Sequence, residues 1–112
     1  MTSPEIDKGT LDSLTAATDE EFVKELIETF LEDSPNLIAE MRTSLGTHDV
    51  EAFRRAAHTL KSNAASFGAF GLSQSAKELE MIGKSGDLES VGDKIDDFEA
   101  TYALVEKELR NR

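Results

Sequence analysis

Asp49-Val50-Glu51-Ala52-Phe53-Arg54-Arg55-Ala56-Ala57-His58-Thr59-Leu60-Lys61-Ser62-Asn63-Ala64-Ala65-Ser66-Phe67-Gly68 is the stretch on which the fold turns. Val50, Phe53, Ala57, Leu60, Ala64 and Phe67 recur at three- and four-residue intervals, the period of one helical face rather than of a strand. Gly68 is placed to end the run, since glycine tolerates the left-handed conformation just past a last turn. At about 100° per residue the apolar members share one direction, and His58 points roughly 130° away from it. A histidine so placed is not a core residue. Its neighbours one turn away are Arg54, Arg55, Lys61 and Ser62, with Ala65 a turn further on.

The same helical period runs outward in both directions, and no convincing alternating strand interrupts it. Upstream, residues 10–16 predict a short helix with Leu11 and Leu14 on one side. Thr18 and Glu21 form a capping-box pattern that opens a second helix carrying Phe22, Val23, Leu26, Ile27, Phe30 and Leu31. Ser34-Pro35 reads as a cap followed by a first-turn proline. It would start or re-aim a helix through Leu37, Ile38, Met41 and Leu45 that ends near Gly46. Downstream, a helix from about Phe70 to Ile82 is broken by Gly83 and Gly86, and Asp87 can cap the next. That last helix carries Leu88, Val91, Ile95, Phe98, Tyr102, Val105 and Leu109 at alternating spacings of three and four. Such a seam serves a coiled-coil dimer as well as a bundle. Four amphipathic segments with short links predict an all-α chain. Its architecture is an antiparallel four-helix bundle with one or two short additional N-terminal helices. Residues 1–9 are expected to be a poorly ordered tail and 10–112 the bundle.

Composition narrows the function. The chain has 112 residues, no cysteine and a formal net charge of −11, so thiolate metal sites and disulfides are excluded. The overall charge disfavours nucleic acid and anionic membranes as partners. The start has no basic and apolar leader pattern, and no run is long enough to span a bilayer, so a cytoplasmic protein is expected. A metal centre lacks ligands: His48 and His58 are the only histidines, and no Glu-x-x-His motif occurs. The serine hydrolase pattern and the glycine-rich phosphate loop are missing too, so no ATP-dependent kinase activity is expected.

What stands out is a basic cluster on an acidic chain, centred on an exposed imidazole. Neutral imidazole is a good nucleophile, and adjacent cations favour the neutral ring over the protonated one. The same cations can contact phosphoryl oxygens. Small neighbours leave room for in-line approach, on which phosphoryl transfer largely depends. Exposed basic helix faces are also common on proteins with no such chemistry. The residues alone leave both readings open.

The run Ala57-His58-Thr59-Leu60-Lys61-Ser62, closed by Gly68, resembles the signature of the histidine-containing phosphotransfer (HPt) family. That signature is Ala-His-x-Leu-Lys, a small residue, five variable positions and a glycine. Glu80 and Gly83, 22 and 25 residues after His58, and Phe30-Leu31-Glu32-Asp33-Ser34-Pro35 extend the similarity over most of the chain. The resemblance implies a phosphorelay intermediate, free-standing and monomeric. It would accept phosphoryl on His58 from a receiver-domain aspartate and pass it to another. Partners would be response-regulator receiver domains or a hybrid histidine kinase, and Mg²⁺ would come from the receiver rather than this chain. By position, Lys61 is the phosphate-neutralising neighbour and Ser62 the small residue that keeps the ring accessible. Two departures matter: position 62 is more often glycine in the family, and position 80 is often glutamine. A carboxylate at 80 would accept a ring N–H more strongly, yet its charge opposes the cations in setting the ring's protonation.

Around this core of residues, Arg54 is a second candidate for stabilising phosphate and Arg55 for steering an acidic partner. The width of the 22–31 stripe nominates Leu14, Phe22 and Leu26, with Ala65 and Ala69, as a docking patch; a stripe packing on two neighbours would look the same. The rival function is a non-phosphorylated helical adaptor that binds receiver or kinase domains.

Overall fold

Five helices account for nearly all of the computed structural model, which describes residues 8–17, 19–66, 68–86, 88 and 91–111. The side chains of Lys8, Leu11, Leu14 and Thr15 lie outside that description. α1 (Lys8–Ala17) is the short leading helix; α2 (Glu20–Thr47), α3 (Val50–Ser66), α4 (Phe70–Ser85) and α5 (Gly92–Arg110) form the antiparallel bundle. None of the described helices is long and apolar enough to cross a membrane.

α2 starts at Asp19, whose Oδ1 accepts the Phe22 N–H at 2.7 Å. Thr18, expected to cap this helix, lies outside the described residues. Glu20 and Glu21 then complement the positive end of the helix dipole. Ser34-Pro35 does not begin a new helix. α2 runs through it, and the Ser34 hydroxyl donates back to the Phe30 carbonyl at 2.7 Å. An internal proline costs roughly 3 kcal/mol. Burial of Ile27, Phe30 and Leu31 before it and Ile38 and Met41 after it outweighs that cost, at about 1.5–3 kcal/mol for each large apolar side chain.

The link from α2 to α3 also departs from expectation. Gly46 remains helical, and the left-handed residue is His48, at φ 56° and ψ 33°. Asp49 then caps α3, its Oδ1 accepting the Ala52 N–H at 3.1 Å. Within α3, Phe53, Ala56, Ala57, Leu60 and Ala64 are buried, and Gly68 follows at φ 78° as predicted; Phe67 is outside the described residues.

Gly83 does not break α4. It is an interior residue, and Gly86 (φ 79°) is the left-handed cap. Gly83 is small for another reason: a Cβ there would sit 3.1 Å from Phe53 Cδ1 and 3.4 Å from Arg54 Cα. α5 begins at Gly92, later than the seam suggested, because Leu88 and Val91 pack into the core ahead of the helix; Asp87 lies outside the described residues. Ile95, Phe98, Tyr102, Val105 and Leu109 complete the seam inside the chain's own core. On the outer side, Arg42 of α2 bonds Asp96 at 2.7 Å and Glu99 at 2.8 Å on α5.

The His48 turn makes a test of local strain. The left-handed region costs a non-glycine residue about 1–2 kcal/mol, and glycine returns roughly half of that through unfolded-state entropy. His48→Gly should therefore raise the unfolding free energy by about 0.5–1 kcal/mol in urea titrations; a loss of stability would show that the imidazole supports the turn.

Candidate functional site

Burial of Ala56, Ala57 and Leu60 fixes the rotation of α3 and turns His58 outward, its side chain 58% exposed. Across the groove, α4 turns Glu80 inward, its side chain only 6% exposed. Both carboxylate oxygens of Glu80 are engaged from α3. Oε2 lies 2.6 Å from His58 Nδ1, and Oε1 accepts from Lys61 Nζ at 2.7 Å. A second link runs from the Ser73 hydroxyl of α4 to the Lys61 carbonyl at 2.9 Å. The sequence reading did not single out Ser73. Its signal was available, since Ser73 and Glu80 are seven residues, or two turns, apart on one face of α4.

Burial by itself pushes the Glu80 carboxyl up. The hydrogen bonds from Lys61 and His58, with the charges behind them, outweigh burial and hold it below the usual carboxylate range. Glu80 is thus ionised near neutrality and can only accept hydrogen bonds. The ring nitrogen facing it must therefore carry the proton, which assigns Nδ1–H to His58 and leaves the lone pair of a neutral ring on Nε2. Nε2 is thus the nitrogen that Glu80 does not engage, on a ring whose side chain is mostly exposed.

The other nominated residues are less tightly gathered. The Arg54 guanidinium pairs with Glu51 on its own helix rather than with the ring. Arg55 is exposed and has no ion-pair partner among the described residues; Ser62 is exposed and Ala65 half-buried. Of the docking candidates, Phe22 is 44% exposed and Leu26 is half-buried. Leu14 lies on α1 with its side chain outside the description. Ala69 is 1% exposed and belongs to the core, so it presents no docking surface. Packing of the α3–α4 link onto the bundle explains this. Phe22 and Leu26 are also distant from the ring. His58 is ten residues past the His48 turn, level with residue 38 on antiparallel α2. Leu26 and Phe22 stand roughly 18 and 24 Å further along at 1.5 Å per residue. Among the described residues, no three His, Cys, Asp or Glu side chains gather where they could hold a metal ion.

Comparison with known proteins adds independent support. The sequence matches the Hpt domain family model over residues 25–110. The structure is similar to histidine-containing phosphotransfer protein B (HptB) from Pseudomonas aeruginosa PAO1. The TM-score is 0.90 and the identity 28%, over 98% of this chain and 95% of that one. It shares its fold with the HPT domain from the Hpt sensor hybrid histidine kinase from Shewanella, with a TM-score of 0.76 and 18% identity over 95% of this chain and 91% of that one. A search of curated protein sequences finds no match. The family match covers most of the bundle, and the chain therefore belongs to the Hpt domain family, with a histidine phosphotransfer role in two-component phosphorelay.

Proposed function

We propose that His58 is the phosphoacceptor, receiving phosphoryl from a receiver-domain aspartyl phosphate and returning it to another receiver aspartate. The observation that carries this reading is the 2.6 Å contact between Nδ1 and Glu80, which leaves Nε2 as the exposed nucleophile. In the forward step the Nε2 lone pair forms the P–N bond as the P–O bond to the aspartyl carboxylate breaks, and the carboxylate leaves with that electron pair. The ring gains positive charge while its Nδ1 proton stays against Glu80, whose negative charge stabilises it. Reversal restores the neutral ring, so no proton need be exchanged with solvent. Mg²⁺ belongs to the receiver's acidic pocket in this scheme, where it neutralises phosphoryl oxygens. The chain acts as a cytoplasmic monomeric carrier without kinase activity of its own, exchanging phosphoryl with receiver domains, free or within a hybrid kinase.

Lys61 has two tasks in this scheme. At rest its ammonium compensates the buried Glu80 carboxylate; after transfer it stands one turn from the phosphoryl group on His58. Ser62 keeps the approach open, and the unpaired Arg55 charge lies on the partner's path, whereas Arg54 is paired with Glu51.

Three outcomes test these roles. Incubation with a phosphorylated receiver domain should place an acid-labile, base-stable label on the wild-type chain and none on His58→Gln; label persisting on that variant would sink the assignment. Lys61→Ala should slow transfer at least about tenfold and also destabilise the bundle, because it leaves a buried carboxylate short of a partner. Adding Glu80→Gln should restore stability but not speed, as read by urea unfolding and transfer time courses; recovery of speed would remove Lys61 from the phosphoryl's surroundings. The third outcome concerns pH. The folded chain holds the Glu80 carboxyl below its ordinary value of 4.5, so in acid it binds fewer protons than the unfolded chain. Its stabilising contribution is complete above that value and is lost as pH falls through the depressed folded value. The stability of wild type relative to Glu80→Gln should accordingly decline below about pH 4.5; a constant difference would contradict the assigned ionisation.

A further inference from the structure

α4 carries an exposed ridge beside Glu80 that the proposed chemistry does not use. Phe70, Gln74, Lys77, Met81 and Lys84 recur at spacings of four and three, so they line one face. All five are exposed, Met81 at 59% and Phe70 at 52%. Measured around the helix from Glu80 and away from the core, Lys84 lies about 40°, Lys77 about 60° and Met81 about 100° further round. The ridge therefore borders the groove that holds His58. A Cβ at Gly83 would lie 3.4 Å from Arg54 Cα, so the α4 backbone next to Lys84 runs close to α3.

Neither Lys77 nor Lys84 has an ion-pair partner among the described residues, although Asp and Glu outnumber Lys and Arg by 23 to 12 in the chain. Lys84 also complements the C-terminal end of the α4 dipole, an explanation that does not extend to Lys77. Two lysines without an ion-pair partner therefore share the exposed face of α4 next to Glu80, with a large apolar side chain between them. Met81 follows Glu80 directly in the chain and is level with the ring, whereas Phe22 lies roughly 24 Å along the axis.

We infer that Lys77, Met81 and Lys84 form part of the surface on which the receiver domain seats, so that the receiver sits astride α3 and α4. This rests on the phosphocarrier reading above. The occupant follows from charge: a surface that presents an aspartyl phosphate and an acidic pocket is repelled by most of this chain and attracted here. Met81 supplies the apolar contact that a weak, reversible interface needs at its centre. Its thioether adapts to more than one partner surface, as a carrier that meets both a donor and an acceptor requires.

The test compares two phosphodonors on the full chain. One is a purified receiver domain, phosphorylated with acetyl phosphate, that labels wild type; the other is phosphoramidate, too small to bridge His58 and the ridge. The readout is the ratio of the second-order rate constants, with circular dichroism as a check on folding. The double substitution Lys77→Glu with Lys84→Glu should lower that ratio at least about tenfold and flatten its dependence on salt. Met81→Ser should lower it about threefold or more with the salt dependence intact. Ratios within about twofold of wild type, or a loss confined to Phe22→Ser and Leu26→Ser, would overturn the ridge and place docking elsewhere. No label on wild type from any receiver of the source genome, or label surviving His58→Gln, would overturn the phosphocarrier reading and this inference with it.

Discussion

A single buried carboxylate organises the functional face. Glu80 offers one oxygen to His58 and the other to Lys61, and each contact constrains a different property. The first sets the tautomer, and hence which ring nitrogen faces a partner. The second compensates a charge that would otherwise be costly to bury. Neither forms unless α3 and α4 approach closely, and the residues that permit it are on the same two helices. Gly83 lacks the Cβ that would crowd Phe53, and Ser73 bonds across to the Lys61 carbonyl.

This arrangement also resolves the opposition between Glu80 and the surrounding cations. With Lys61 bonded directly to Glu80, the pair is close to neutral, and the ring meets a hydrogen-bond acceptor whose charge is largely balanced. Arg54 is balanced locally by Glu51. Arg55 and the α4 lysines have no ion-pair partner among the described residues. In the proposed scheme these are the charges that steer the partner, and they are distinct from the Lys61–Glu80 pair that meets the ring.

The core beneath is built from a different set of residues, which lets the face be polar and open. Phe53, Leu60, Leu72, Leu79, Ile95 and Phe98 are wholly or almost wholly buried. The long α2 supplies one wall in spite of Pro35, and its Arg42 ties it to α5 from outside. Packing of the inner face of α3 against α2 and α4 holds the His58 Cα in place, so that the ring is positioned by the bundle and stays exposed. A rigid platform of this kind is what in-line transfer between two macromolecules needs.

The sequence by itself determined the helical class, the inward face of α3 and the outward direction of His58, because helical periodicity is a local property that survives without coordinates. It also determined the basic neighbours one turn away, and the Gly68 stop. Helix boundaries were less legible. Ser34-Pro35 and Gly83 read as breaks, yet packing carried α2 and α4 through them, and a histidine, not a glycine, took the left-handed position at 48. Position 80 could be nominated by resemblance, but whether a carboxylate there faces the ring, 22 residues away in sequence, depends on how α3 and α4 rotate and approach. Tertiary structure alone decided that contact, the burial of Ala69 and the close approach of α4 to α3 at Gly83. The physical reason is common to all three: each depends on the spacing and rotation of one helix against another, which core packing sets and which no single helix encodes.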